Sequence, residues 1–487
     1  MKKSLFIIAT LIMVLLFTAC SNFPGSQAIR EESGIQTEQQ TIDYSDAEFA
    51  ANEILIKSNQ PIKGILEENG IVQKREWPKI GWVLAEVTTG EDLLKVIDKL
   101  SSKEEILFVE PNLAYEFYQT TDAVEPEEGY ISSWAIDKIK AREAWEITKG
   151  SSDVIVAVVD TGIDKEHSEF ANDKIVAPYD RFNNDDEDIK DIDGHGTHIS
   201  GIVASVAIEN QIMPIRVSEK EKQVFSEPLI DALEYIVNYV EDNDVKIVAN
   251  MSFGAKRYSY ALKDAVDNAL EAGVVLVAPA GNHGRRTLTY PASYNGVISV
   301  AASHPSGKRS DFSTLGYWNS VAAPGERIRS TIPGGYDYKD GTSMASAFVS
   351  GAAALLLSEN PELTPIEVKN QLEQTAKGEG FTEELGYGVI DMGAMLGDLQ
   401  EMKYGSLHVE TDLGPEYAGK GLITLTQGNK LVAHGATGAN GDFKFSALKP
   451  GSYTVNVSLN ISGESYFNRE NVIISEGASS EVYIEIN

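Results

Sequence analysis

Hydrophobic and polar positions alternate in three different ways along this chain, and each way predicts a different kind of unit. Between about residues 130 and 395, nearly continuous apolar runs, VIVAVV (154–159), KIVANMSF (246–253) and GVVLVAPAG (273–281), are separated by stretches such as LIDALEYIVNYV and ALKDAVDNALEAG. The apolar residues of those intervening stretches recur at helical spacing. Runs that are apolar throughout suit strands buried on both faces of a parallel sheet. An α/β sandwich is therefore predicted, with ligands at the carboxyl ends of its strands. Asp160 and Asn282 both fall just past such ends.

From Glu53 to Tyr118 the pattern is shorter in period: a strand EILIK, a helix around Ile62 to Asn69, a strand from Trp82 to Val87, a helix EDLLKVIDKL and a strand ILFVE. This order fits a small βαββαβ unit. After Tyr404, short alternating segments (LITLT, DFKFS, SYTVNVSL, NVIIS, EVYIEI) are parted by Gly, Asn and Pro turns, an all-β pattern. Residues 21 to 48 are polar and without apolar periodicity, and read as a flexible spacer. The first twenty residues have a basic start (Lys2, Lys3), an apolar core from Leu5 to Phe17 and a small-residue cleavage site at Thr18-Ala19, as an export signal does. Cys20, the single cysteine of the chain, follows that site directly. No other apolar run is long enough to span a bilayer.

A length of 487 residues agrees with roughly three domains. Acidic residues outnumber basic ones 73 to 41, for a formal net charge of −32. Such a field repels nucleic acid and anionic headgroups, so neither is expected as a partner.

The chemistry lies in three segments, VAVVDTGID, DGHGTHISG and GTSMASAFVSG, which contain Asp160, His195 and Ser343. A serine hydroxyl is a poor nucleophile at neutral pH until an imidazole takes its proton and a buried carboxylate holds that imidazole in the right tautomer. Asp160, at the end of a buried strand, stays ionised only if hydrogen-bonded, and the His195 imidazole can supply one such bond. Gly341 permits a tight turn into the apolar helix that carries Ser343. The positive end and free N–H groups of that helix then face the reacting serine. HGTH also contains His198; a metal site is the alternative for two nearby histidines, but no cysteine or third histidine lies close in sequence.

The order Asp, His, Ser is that of subtilisin, unlike chymotrypsin or the α/β-hydrolases, and with their flanks the three segments closely resemble the subtilisin family of serine proteases. Further stretches carry the resemblance: WAIDKIKAREAWEITKG, TYPASYNGVISVAAS and FSTLGYWNSVAAPGERIRST. It implies a subtilisin-like three-layer α/β/α sandwich with a mainly parallel sheet, preceded by a small α+β propeptide domain and followed by an all-β sandwich. By resemblance Asp160, His195 and Ser343 are catalytic, and the Ser343 N–H and the Asn282 side chain form the oxyanion hole. Ser252, Phe253 and Gly254 line the substrate backbone, with Ala280 and Gly281 as the opposite wall, leaving room for a sizeable apolar side chain. His167 matches the family's sequence without a direct catalytic role, and His198, one helical turn after His195, reads as a structural residue that packs or hydrogen-bonds within its helix.

The resemblance extends outward from that domain. Residues 49–118 are similar to the inhibitory propeptide of subtilisins, with LFVEPNLAYEFY at its end, so Tyr118 is expected in the primary pocket and the first cut after it. Residues 404–487 resemble prealbumin-like β-sandwich accessory modules, and 119–400 form the peptidase domain. Residues 1–20 resemble a signal with a lipobox in which Cys20 is lipidated, although Phe17 replaces the usual Leu.

Two other departures stand out. Ala347 replaces a Pro at a helix start, which is tolerable because that donor is unsatisfied anyway. After GIVASV the chain lacks the longer loop that carries a calcium site in many members. Calcium is therefore possible but not assignable, the metal ligands are unknown, and the acidic run 183–193 reads as a solvated loop. No cofactor is required for the chemistry.

The expectation is an exported, monomeric serine endopeptidase made as a zymogen, acting on protein or peptide substrates and inhibited by its own propeptide. It would be either a membrane lipoprotein facing outward or secreted after propeptide cleavage. The alternative is a lipid-anchored binding or adhesion protein on an inactive protease scaffold, which would be expected to have lost at least one catalytic group.

Overall fold

The computed structural model describes residue 44 and residues 47–486, apart from 59, 104, 119–130, 172, 182–188, 219–222, 295, 317, 398–404, 414–420, 429, 438–440, 449, 462–463 and 476–477. The expected signal, Cys20 and most of the spacer lie outside the described residues. No helix among those described is long and apolar enough to cross a membrane.

The N-terminal unit runs β1 (Phe49–Ser58), α1 (Lys63–Glu68), β2 (Ile71–Trp77), β3 (Trp82–Val87), α2 (Leu93–Ser101) and β4 (Ile106–Phe117), the βαββαβ order read from the sequence. Its strands pair antiparallel in the order β4-β1-β3-β2. One sheet face buries Ile54, Ile56, Ala85 and Val109 against Val96, Ile97 and Leu100 of α2. Ordered packing begins sooner than the expected spacer boundary at residue 48. Tyr44 is buried, and the Glu48 carbonyl accepts from Ala114 N at 2.9 Å, because an apolar surface is there to receive the tyrosine ring.

The central unit opens with α3 (Ser133–Lys138) and α4 (Ala141–Trp145) and builds a seven-stranded sheet. In chain order its strands are β5 (Val154–Asp160), β6 (Tyr179–Asp180), β7 (Gln211–Arg216), β9 (Lys246–Met251), β11 (Val275–Pro279), β12 (Ile298–Ser303) and β13 (Val321–Pro324). They lie in the order β13-β12-β11-β9-β5-β7-β6, and every neighbouring pair is parallel. Alternation along β5 splits the core. Val154, Val156 and Val158 face α5 (His195–Val206) and α8 (Thr342–Glu359). Ile155, Ala157 and Val159 face α6 (Ser226–Asp242) and α7 (Tyr260–Glu271). The α8 helix is buried from Thr342 through Leu357, which explains why it is apolar all round.

The outer face of the N-terminal sheet, with Leu55, Trp77, Trp82, Leu84 and Tyr115, enters the same core as α6 and α7. Its β4 continues between β8 (Gln223–Phe225) and β10 (Phe253–Gly254), antiparallel to both. β14 (Ile328–Ile332) and β15 (Gly335–Lys339) form a hairpin ahead of α8, and α9 (Pro365–Thr375) and α10 (Met392–Met395) follow it.

The C-terminal strands are β16 (Gly405–Thr411), β17 (Leu422–Gln427), β18 (Lys430–Ala436), β19 (Phe443–Leu448), β20 (Gly451–Ile461), β21 (Glu464–Ile474) and β22 (Ser479–Ile484). They make two sheets, β19-β16-β22 and β18-β17-β20-β21, around a core that includes Leu407, Ile423, Phe445 and Val455.

Candidate active site

β5 delivers Asp160 as its last residue, and α5 delivers His195 as its first. Gly194, the N-cap of α5, has φ 87°, a left-handed conformation that glycine adopts without steric cost. Asp191 ties the two elements together. Its Oδ1 accepts from Thr161 Oγ1 (2.9 Å) and Gly194 N (2.8 Å), and its Oδ2 from Thr197 N (2.8 Å) and Oγ1 (2.6 Å). Thr161 Oγ1 in turn accepts from Gly196 N at 2.9 Å. Asp191 belongs to the acidic run read as a solvated loop. Residues 183–188 of that run lie outside the described residues, but Asp191 itself is 2% exposed and is a cap, because the first amides of α5 need acceptors.

His195 Nδ1 and Asp160 Oδ1 are 2.7 Å apart, and both side chains are fully buried. Burial pushes the Asp160 carboxyl up from its ordinary range, opposed by the imidazole and by the Thr161 amide, which donates to Oδ1 at 2.8 Å. His195 Nε2 is buried with no hydrogen-bond partner. Ser343 is the second residue of α8, and its Oγ donates to the Ser252 carbonyl at 3.2 Å. The structure thus joins the acid and base directly, while the hydroxyl is turned to a backbone carbonyl.

Asn282 follows β11. Its Oδ1 accepts from Thr342 N (3.1 Å) and Thr342 Oγ1 (2.9 Å), while its Nδ2 is buried with no partner. With the oxygen tied down, the amide donors are left for a ligand. A buried donor without an acceptor carries a free-energy cost that an incoming oxyanion would relieve. Thr342 was not singled out in the sequence, although it stands next to Ser343 in GTSMAS.

The expected substrate wall is occupied by the chain's own tail. Phe117 pairs with Phe253 and Glu116 with Gly254, and the Phe117 ring centroid lies 5.3 Å from that of His195. Tyr118 is 4% exposed. A Cβ on Gly254 would come within 2.6 Å of the Tyr118 ring and 2.8 Å of Thr289, so only glycine fits there. Gly281 borders the same space, facing Thr289 Oγ1 and the His283 ring, and Ala280 is buried beside it. The Ser252 hydroxyl accepts from Asn250 Nδ2 at 2.6 Å, so Ser252 contributes its carbonyl to the site. Sequence reasoning missed Thr289, which carries no local signal.

His198 Nε2 meets the Ile328 and Asp337 carbonyls at 3.1 and 3.2 Å, and burial pushes its pKa well down, as for a neutral packing residue. His167 Nε2 meets the Gly335 carbonyl at 2.9 Å. Among the described residues no group of three or more His, Cys, Asp or Glu side chains could hold a metal ion. Where the chain lacks the longer loop, the Ala207 and Ile208 carbonyls beyond α5 accept from Lys174 Nζ at 2.8 and 2.9 Å. Burial lowers the Lys174 pKa to about 8.

A buried Asp–His pair, a serine at a helix N-terminus and an unsatisfied amide beside it on an all-parallel sheet define a subtilisin-like serine protease, and the chain belongs to the subtilase family. That family matches residues 151–388, and the fervidolysin N-terminal prodomain matches residues 36–112. Thermophilic serine proteinase of Bacillus sp. (strain AK1) is 35% identical, over 61% of this chain and 74% of its own. Subtilisin E of Bacillus subtilis (strain 168) is 32% identical, over 81% and 99%. The crystal structure of fervidolysin from Fervidobacterium pennivorans, described as a keratinolytic enzyme related to subtilisin, superimposes with a TM-score of 0.74 at 24% identity, covering 92% of this chain and 80% of that one. The protein is a serine endopeptidase with a prodomain, and its chemistry requires no cofactor. These relatives lend no support to a binding protein on an inactive scaffold.

Proposed function

We propose that Asp160, His195 and Ser343 act as the triad of an exported endopeptidase that hydrolyses protein or peptide substrates through an acyl-enzyme. The observation that carries this reading is the 2.7 Å Asp160–His195 contact, with His195 Nε2 and Asn282 Nδ2 both buried and unsatisfied and the Asn282 oxygen bound to Thr342, the residue before Ser343. In the reaction, Ser343 Oγ turns from the Ser252 carbonyl to His195 Nε2, gives up its proton and attacks the substrate carbonyl carbon. The oxyanion is held by the Ser343 N–H and Asn282 Nδ2. His195 then returns the proton to the leaving amine, the C–N bond breaks, and water repeats the cycle on the acyl-enzyme. Asp160 keeps the imidazole in its Nδ1–H tautomer throughout.

In this reading residues 49–118 are an inhibitory prodomain, 119–400 the peptidase and 404–487 an accessory sandwich. Ser252, Phe253, Gly254, Ala280 and Gly281 form the substrate cleft, and self-cleavage follows Tyr118, whose burial in that cleft supports the assignment. The N-terminal pattern supports export, with Cys20 as the lipid attachment point. The test is labelling of processed protein with a fluorophosphonate. Labelling should occur, and Ser343→Ala should abolish both it and peptide cleavage. Undiminished labelling in Ser343→Ala would refute the assignment.

A further inference from the structure

We propose that Thr314 is a positioning residue that aims the Asn282 amide, by holding the peptide groups on both sides of Asn282 at once. This deepens the reading above, in which Asn282 Nδ2 stabilises the oxyanion, and rests on it.

Asn282 stands on the loop beyond β11, so no strand ladder fixes the direction in which its side chain leaves the backbone. Thr314 supplies that restraint. Its N–H donates to the Gly281 carbonyl at 2.9 Å, and its Oγ1 accepts from the His283 N–H at 3.1 Å. The first of these groups belongs to the peptide plane that enters the Asn282 Cα, the second to the plane that leaves it. Each plane is rigid, so tying both to one residue restrains the two soft dihedrals between them and with them the Cα–Cβ direction. Thr342 holds the other end of the side chain through its oxygen. Gly281, with φ 102° and no side chain, lets the Thr314 hydroxyl come this close: a Cβ there would lie 3.0 Å from Thr314 Oγ1.

A residue can aim another only if it is fixed itself. Thr314 is fully buried, and its carbonyl accepts from Asn319 Nδ2 at 3.0 Å. The same Nδ2 donates to the Glu383 carbonyl at 2.9 Å, and Asn319 Oδ1 accepts at 3.2 Å from the hydroxyl of Ser299, a residue of β12. With both faces of its amide engaged, Asn319 has one orientation. A path of hydrogen bonds therefore runs from the central sheet through Asn319 and Thr314 to Asn282. The aim matters because a donor stabilises an oxyanion only within hydrogen-bond distance of where the charge develops. A misdirected amide lowers kcat and leaves KM nearly unchanged, since the bond is made in the transition state.

The experiment measures kcat per fluorophosphonate-titrated site of the processed enzyme, so that unfolded molecules are not counted. Thr314→Val keeps the shape and removes the oxygen used by the His283 N–H. It should lower kcat by roughly tenfold, the worth of one neutral hydrogen bond, with KM little changed. Thr314→Ser, which keeps the oxygen, should restore most of that loss. In the Asn282→Leu background no amide remains to be aimed, and Thr314→Val should change kcat by less than about twofold. If Thr314→Val fails to fold, Thr314→Ala removes the same oxygen without setting a methyl against the His283 amide. An unchanged kcat in Thr314→Val, or an equal loss with and without Asn282, overturns the inference. Either result leaves the oxyanion assignment intact as long as Asn282→Leu alone lowers kcat. Undiminished kcat in Asn282→Leu overturns that reading and the inference with it.

Discussion

At the scale of the residue, the site depends on side chains whose remaining hydrogen-bonding capacity is controlled by neighbours. Thr342 occupies the Asn282 oxygen and so leaves its buried amide donors for the oxyanion of the proposed mechanism. Asn282→Leu should lower kcat by about a hundredfold or more, near 3 kcal/mol, a magnitude known from subtilisin itself, with KM little changed because the donor acts on the transition state. Single-turnover kinetics on a peptide substrate check this. Asp191 acts one step further out, bracing Thr161 beside Asp160 and the amides around His195. It is a positioning residue. Asp191→Asn turns part of an all-acceptor group into a donor facing amide N–H groups. Catalysis should fall with a shift in the acid limb of the kcat–pH profile, whereas an unshifted profile would mark a purely structural loss. Asp160, His195 and Ser343, the proposed triad, stand out in the sequence because their three segments have distinctive contexts. Asp191 was hidden by the acidic residues around it, and Thr289 had no pattern to betray it.

At the scale of the element, β4 caps two helices of the peptidase at once. Glu110 accepts from Ser259 Oγ (2.7 Å), Tyr260 N (2.9 Å) and Ala261 N (3.1 Å) at the start of α7. Asn112 Oδ1 accepts from Glu227 N at 3.1 Å in the first turn of α6. Burial outweighs those bonds and raises the Glu110 pKa to about 7. In the released prodomain this carboxyl returns to water and to the ordinary value of about 4.3. Between the two values the docked form holds the extra proton. Its contribution to docking is therefore fully present below the free value and is lost as pH rises through about 7. Prodomain affinity for the processed protease should weaken across that window, and Glu110→Gln should flatten the dependence. Titration of the prodomain segment at a series of pH values measures both. The long strands and helices of this interface follow from periodicity, as Trp82–Val87 and the nearly all-apolar β5 illustrate. The three-residue β8 and two-residue β10 do not, because pairing with the tail, rather than any repeat of their own, makes them strands.

For the whole molecule, the decisive question is what holds prodomain and peptidase together once the chain between them is cut. The contact has polar anchors set in a dry surface. Trp77 Nε1 donates to Asp231 Oδ1 at 2.7 Å, and Arg75 Nε reaches the same oxygen at 2.6 Å. Arg181 of the peptidase pairs with Asp231 and Glu227. On α7, Asp264 takes Trp82 Nε1 at 2.6 Å and Lys57 Nζ at 2.5 Å. The proposed cut after Tyr118 would touch none of these and so would leave the inhibitor seated. If Cys20 is lipidated, the seated inhibitor is also the membrane tether, and release of the protease follows the strength of this interface and not the rate of the cut. Trp77→Phe keeps most of the ring burial and removes one hydrogen bond to a carboxylate, about 1.5 kcal/mol, or roughly tenfold in docking affinity. Asp231 remains satisfied by its two arginines, so the fold is preserved. Cells making Trp77→Phe should show active protease shifted from the membrane fraction into the medium, with the same extent of cleavage on a denaturing gel. Equal partitioning of the two proteins, at equal cleavage, would mean that something other than this interface retains the enzyme.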